Sequence, residues 1–147
     1  MKKTVRFICM ILICSLLLAV PAQAESIVEP RASSFFSSYG TDLYKTSSSS
    51  FQIWFDVIAN AGTSMQELGV SEIILYRSAD QQTWTKIKTY IKGSYSQMVA
   101  LNTQSHEGYV SYNFATPGYY YRAYITFYAK NSTGIGERYV YTEILRM

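Results

Sequence analysis

Ser105, His106 and Glu107 stand consecutively and include the chain's only histidine. In an active site these residue types would supply a nucleophile, a base and a carboxylate, or His106 would ligate a metal. Triad members must converge in space, whereas three consecutive residues point in different directions. A metal site needs three or four ligands, and Asp42, Asp56, Glu72 and Asp80 lack the tight alternating spacing of a calcium loop. Carboxylate pairs for glycoside hydrolysis are joined in space rather than in sequence, so spacing leaves that chemistry open. No Gly-rich phosphate loop and no nucleophile elbow is present. The chain reads as non-catalytic, with no cofactor and no metal, and residues 105–107 read as a polar loop.

The aromatic residues offer a different chemistry. Five of the fourteen tyrosines fall in Gly118-Tyr-Tyr-Tyr-Arg-Ala-Tyr-Ile-Thr-Phe-Tyr128. This segment lies between a Pro117-Gly118 turn and an Asn131-Ser132-Thr133-Gly134 turn. In an extended strand Tyr119, Tyr121, Ala123, Ile125 and Phe127 share one face, and Tyr120, Arg122, Tyr124, Thr126 and Tyr128 the other. The first set holds the small and purely apolar side chains and is assigned to the core. The second displays tyrosines and an arginine near Tyr139 or Tyr141. Trp54 falls out of phase with Phe51, Ile53, Phe55 and Val57, which places it on an exposed patch of its own sheet. The candidate ligand-binding residues are therefore Trp54, Tyr120, Arg122, Tyr124 and Tyr128. Flat rings stack on sugar faces or anchor protein partners, because they give large contact area at low entropic cost. The plainer reading is a cross-strand tyrosine ladder, at about 0.2–1 kcal/mol per pair. It is favoured, since strands are rich in aromatics whatever their role. Asn131-Ser132-Thr133 has the form of a glycosylation acceptor and is read as a turn.

These residues need strands to position them. Alternation in β-branched and aromatic runs, broken by Gly, Ser, Asn and Asp, recurs along the chain. Strands are predicted at Ser33 to Lys45, Phe51 to Ile58, Glu72 to Ser78, Trp84 to Ile91, Tyr95 to Leu101, Tyr109 to Phe114, the tyrosine segment, and Gly136 to Leu145. Ala79 to Thr83, with its turn-favouring Asp80, makes the third and fourth a hairpin. Ala59 to Ser71 is read as irregular, with one helical turn possible at Thr63 to Leu68. Seven or eight short strands in one domain predict an all-β antiparallel sandwich.

Three motifs carry a resemblance. Tyr76-Arg77-Ser78 with Asp80, Trp84-Thr85 and Ile87 resembles the hairpin between the third and fourth strands of fibronectin type III-like, immunoglobulin-like domains. Pro117-Gly118 with Tyr121 resembles the entry to their sixth strand, where the tyrosine makes the corner. Ala129, Asn131, Gly134 and Gly136 resemble its exit into the seventh. Two departures stand out. The run from Tyr121 to Ala129 is two residues longer than the pattern, which implies a bulge or a longer strand, and Trp54 does not point into the core. The arrangement also resembles small exported Gram-positive bacterial proteins of unassigned function. The resemblance implies a fold and no chemistry.

Compartment and charge are read together. Lys2, Lys3 and Arg6, the apolar run from Phe7 to Val20, and Pro21-Ala22-Gln23-Ala24 predict a signal peptide at 1–24, cleaved after Ala24. The run is shorter than the roughly 20 residues that a bilayer core of about 30 Å requires. The predicted single domain is 25–147. Of 13 basic residues three leave with the signal, so ten bases match ten acids and the mature chain is formally neutral. The pI of 8.8 belongs to the precursor, so no nucleic-acid partner and no membrane partner after cleavage is expected. Both cysteines, Cys9 and Cys14, leave as well. The expectation is a secreted, non-catalytic binding or adhesion module for a glycan, a cell-wall polymer or a protein, released rather than anchored. A self-assembling surface subunit is the alternative, and an enzyme the least favoured.

Overall fold

The computed structural model describes residues 35–60, 62 and 64–147. The predicted signal peptide, both cysteines and the Ser33 start of the first predicted strand lie outside them. The described chain is an all-β, antiparallel sandwich of nine strands: β1 (Phe36–Lys45), β2 (Phe51–Ala59), β3 (Met65–Ser78), β4 (Thr85–Ile91), β5 (Val99–Thr103), β6 (Ser105–Tyr112), β7 (Tyr120–Asn131), β8 (Gly134–Tyr141) and β9 (Leu145–Arg146). A single 3₁₀ turn at Ser96–Met98 precedes β5. Sheet A has the order β1-β2-β6. Sheet B has the order β4-β3-β7-β8, with β5 paired to β3 and β9 to β7.

The core forms where the inward residues of the two sheets meet. Phe51, Ile53, Phe55 and Val57 of β2 alternate with outward residues, as period-2 patterning requires. Ile73 and Leu75 of β3 and Tyr121, Ala123, Ile125 and Phe127 of β7 supply the opposite side. Fully burying one such large side chain is worth about 1.5–3 kcal/mol. Tyr121 is wholly buried against Phe51, and its Oη accepts the Thr116 backbone N–H at 2.7 Å. That bond pins the loop before β7, so the predicted tyrosine corner is present. Tyr90 of β4 is also buried, and its hydroxyl donates to the Ser111 carbonyl at 3.0 Å, tying sheet B to β6 of sheet A. Burial raises its phenol pKa.

The β3–β4 turn is built on Asp80. Its Oδ1 accepts the backbone N–H groups of Thr83 (2.8 Å) and Gln82 (2.9 Å) and the Ser78 hydroxyl (2.9 Å). Those bonds, Thr83 and Gln82 foremost, hold its pKa down to about 2.

Several predicted boundaries change, among them the strand expected at Tyr95 to Leu101, which gives way to the 3₁₀ turn and a β5 that begins only at Val99. Residues from Met65 onward, expected to be irregular or helical, open a 14-residue β3. Their buried positions fall at 65, 68, 70, 73 and 75, a spacing that is not two. A bulge at Ser71, between Val70 and Glu72 in the pairing with β7, shifts the phase. Gly69 adds a second irregularity: with φ of +154°, any Cβ there would collide with the Met98 carbonyl oxygen. The extra length anticipated in Tyr121 to Ala129 is accommodated by a 12-residue β7, and the bulge sits on its partner.

Residues 105–107, read as a loop, begin β6 and pair with β2. The predicted last strand divides in two. At Thr142 the hydroxyl accepts the Ala123 N–H and donates to the Glu143 carbonyl, and the chain leaves the ladder before β9.

Candidate functional site

Both sheets carry aromatic residues on their outer faces, but the two faces are assembled differently. On sheet B, Tyr124 lies opposite Tyr141 across the β7–β8 pair, and Tyr139 is one step along the same face. Tyr124 stacks on Tyr139 with ring planes 6° apart and touches Tyr141 at 4.8 Å. The Arg122 guanidinium is sandwiched between Trp84 (4.2 Å) and Tyr141 (4.6 Å). Its Nε is buried without a hydrogen-bond partner, and the rings hold this cation where no carboxylate among the described residues does. Burial raises the Tyr124 phenol pKa, with the neighbouring Tyr141 and Tyr76 adding to it.

Further along β7, Tyr128 is only 6% exposed. The Lys92 ammonium covers its ring at 3.7 Å and pairs with Glu67 at 2.6 Å. Lys130 reaches the other oxygen of Glu67 at 3.4 Å. The Lys92 hydrogen bond is the main reason that the Glu67 carboxyl is lowered. Tyr120, at the start of the strand, lies under the Arg146 guanidinium at 5.6 Å.

Sheet A has a different face. Its register sets the outward residues in cross-strand rows. Asp42, Trp54 and Tyr109 form one row, and Gly40, Asp56 and Glu107 the next. Trp54 stacks on Tyr109 at 4.9 Å, and Tyr44 meets the indole edge-on at 6.0 Å. The indole N–H donates to Gln52 Oε1 at 3.0 Å, which fixes the ring on the sheet. Tyr44 is 51% and Tyr109 43% exposed.

An open groove of about 870 Å³ runs beside this aromatic row. Trp54 and Tyr44 wall one side, the exposed Ile58 stands on the other, and Asp56 and Glu107 lie between. Trp54 and Ile58 are four residues apart on β2, about 13 Å at the usual strand rise. Gly40 makes room for the Asp56 carboxylate, because a Cβ there would lie 2.5 Å from Asp56 Oδ1.

The five predicted residues therefore do not form one site. Arg122 and Tyr124 share the sheet B lattice, Tyr120 lies at its end, and Trp54 is on the other sheet. Tyr128 corrects the reading of an exposed even-numbered face: Glu67 on β3 and Lys92, just after β4, pair and close over it. Four residues around Trp54 were missed. Tyr44 and Asp42 could have been found from the phase of β1, since both fall outside its apolar set. Tyr109 and Glu107 needed the β2–β6 register, which no local pattern encodes.

His106 lines the same groove as Asp56 and Glu107, and its hydrogen bond goes to the backbone. Its Nε2 bonds the Gln97 carbonyl at 2.9 Å and its ring packs near Phe55. Among the described residues no group of three or more His, Cys, Asp or Glu is arranged to hold a metal ion. Asp80 is in the β3–β4 turn and Glu72 on sheet B, away from Asp42 and Asp56.

The class that fold and site define is thus an antiparallel β-sandwich with an aromatic, acidic groove on its smaller sheet. Comparison with family models, curated proteins and solved structures returns no match.

Proposed function

We propose that this chain is a secreted, fibronectin type III-like sandwich that binds glycan outside the cell without transforming it, through the outer face of sheet A. One observation carries the reading: Tyr44, Trp54 and Tyr109 form a row of partly exposed rings across three strands, beside an open groove with carboxylates. Such rings stack on the apolar faces of sugars, and carboxylates accept hydrogen bonds from sugar hydroxyls. The Tyr121 corner and the Asp80 hairpin support the fibronectin-like assignment. The test is an oligosaccharide array probed with the purified protein and with Trp54→Ala. Binding that disappears in the variant at unchanged unfolding midpoint supports the reading, and equal binding by both rejects it. Because Asp56 and Glu107 are directly opposed, the bound oligosaccharide should also be recovered and sized. Intact recovery is expected, and shortening would move the chain to the hydrolases.

A self-assembling subunit is the second reading. Its support is β8, an edge strand of sheet B with Ile135, Tyr139 and Tyr141 exposed. A sedimentation measurement showing a strict monomer at high concentration would remove it.

A further inference from the structure

We propose that the groove of sheet A selects a polysaccharide bearing free amino groups, with its rings along the Tyr44–Trp54 wall and its ammonium groups on Asp42, Asp56 and Glu107. This inference rests on the glycan reading of the same face and names the ligand class.

Charge complementarity is the first argument. The outward positions of β1, β2 and β6 hold three carboxylates and no Lys, Arg or His, and His106, which also lines the groove, is bonded to the Gln97 carbonyl. Among the described residues both ion pairs belong to Glu67, on the other sheet, so none of these three acids has a basic partner. The second argument is the cost of the arrangement. Asp56 and Glu107 face one another directly, where Cβ atoms lie about 4.5–5.5 Å apart and like charges destabilise the sheet. A cation seated beside them relieves that repulsion, and the Asp56 carboxylate lies over Gly40, on the open face of the sheet. The third is the choice between sugar and peptide. Extended peptides dock on sheet edges through unpaired backbone groups. The groove instead crosses the centre of the sheet, where β2 is paired on both sides. Side chains alone must hold its occupant, and the aromatic wall suits rings.

The experiment is calorimetric titration of the purified protein, at low salt, with the β-1,4 glucosamine hexamer, its N-acetylated form, the uncharged glucose hexamer, and hexalysine. The amino sugar should bind at least tenfold more tightly than either neutral hexamer, and added salt should erase the difference. Asp56→Asn/Glu107→Gln should bring the ratio of amino-sugar to neutral-sugar affinity down to about one, whatever the variant loses in neutral-sugar affinity through its missing carboxylate–hydroxyl bonds. Equal binding of charged and neutral hexamers, unaffected by that double variant, overturns the inference and leaves the glycan reading intact. Hexalysine binding more tightly than the amino sugar overturns it in favour of a basic peptide. No binding of any hexamer ends both readings. Thermal unfolding of the double variant guards against misfolding, and its midpoint should stay or rise.

Discussion

The outer faces of the two sheets are both aromatic, yet one is closed upon itself and the other is open. On sheet B the groups of the aromatic lattice have internal partners: Arg122 has two rings, Lys92 a ring and a carboxylate, and Tyr124 two tyrosines. On sheet A, Asp42, Asp56 and Glu107 have no basic partner among the described residues, and two of the three directly oppose one another. The difference teaches that aromatic density is a poor guide to a binding surface. What matters is whether the fold has already satisfied the side chains involved. A ladder spends its interactions internally, whereas a receptor keeps some of them for its ligand.

The comparison can be broken at several points. Tyr128→Ala should have the largest effect on stability, a loss of about 3 kcal/mol in denaturant unfolding, because it empties a buried site under Lys92. Oligosaccharide affinity of the folded fraction should not change; loss of binding at full stability would invert the roles of the two faces. Arg122→Met should cost about 1–2 kcal/mol, the worth of two cation–ring contacts in a partly desolvated setting. It too should leave affinity alone. Trp54→Ala should cost only about 1 kcal/mol of stability, from its lost ring pairs. Its affinity for sugars should nevertheless fall at least tenfold.

Two carboxylates give the smallest effects, with opposite signs. Asp80 is employed by the fold, and its pKa lies at about 2 against an ordinary 3.8. A depressed folded pKa contributes stability above the unfolded value and loses it as pH falls through the folded one. Asp80→Ala should therefore be less stable than the parent above about pH 4, with the gap closing toward pH 2, as followed by thermal melts. Asp56→Asn should instead gain about 0.5 kcal/mol by relieving the repulsion with Glu107. A loss on Asp56→Asn would mean that sheet A uses this acid structurally.

Much of the fold was legible because strand phase is a local property. Phe51, Ile53, Phe55 and Val57 announced both the strand and its buried side, and the odd-numbered face of β7 was equally plain. The Asp80 hairpin could be read because turn chemistry is confined to a few neighbours. Legibility failed at β3, where Gly69 and the Ser71 bulge destroy a clean period of two. It failed again at His106, since a polar strand on a half-open face has no apolar alternation to reveal it.

The site was less legible than the fold. The outward phase of Trp54 could be read from β2 alone, because a side chain's side of a strand depends only on its neighbours in sequence. Which residues surround it could not, because Tyr109 and Glu107 are more than fifty positions away and arrive through the β2–β6 register. Tyr128 illustrates the converse. Its own strand directs it outward, and a lysine and a glutamate from elsewhere in sheet B cover it. The sequence by itself determined most of the strands and their inward sides, since backbone pleating imposes a local period. Only the tertiary structure decided which outward aromatics were already partnered and which remained open, since that depends on pairing between distant segments.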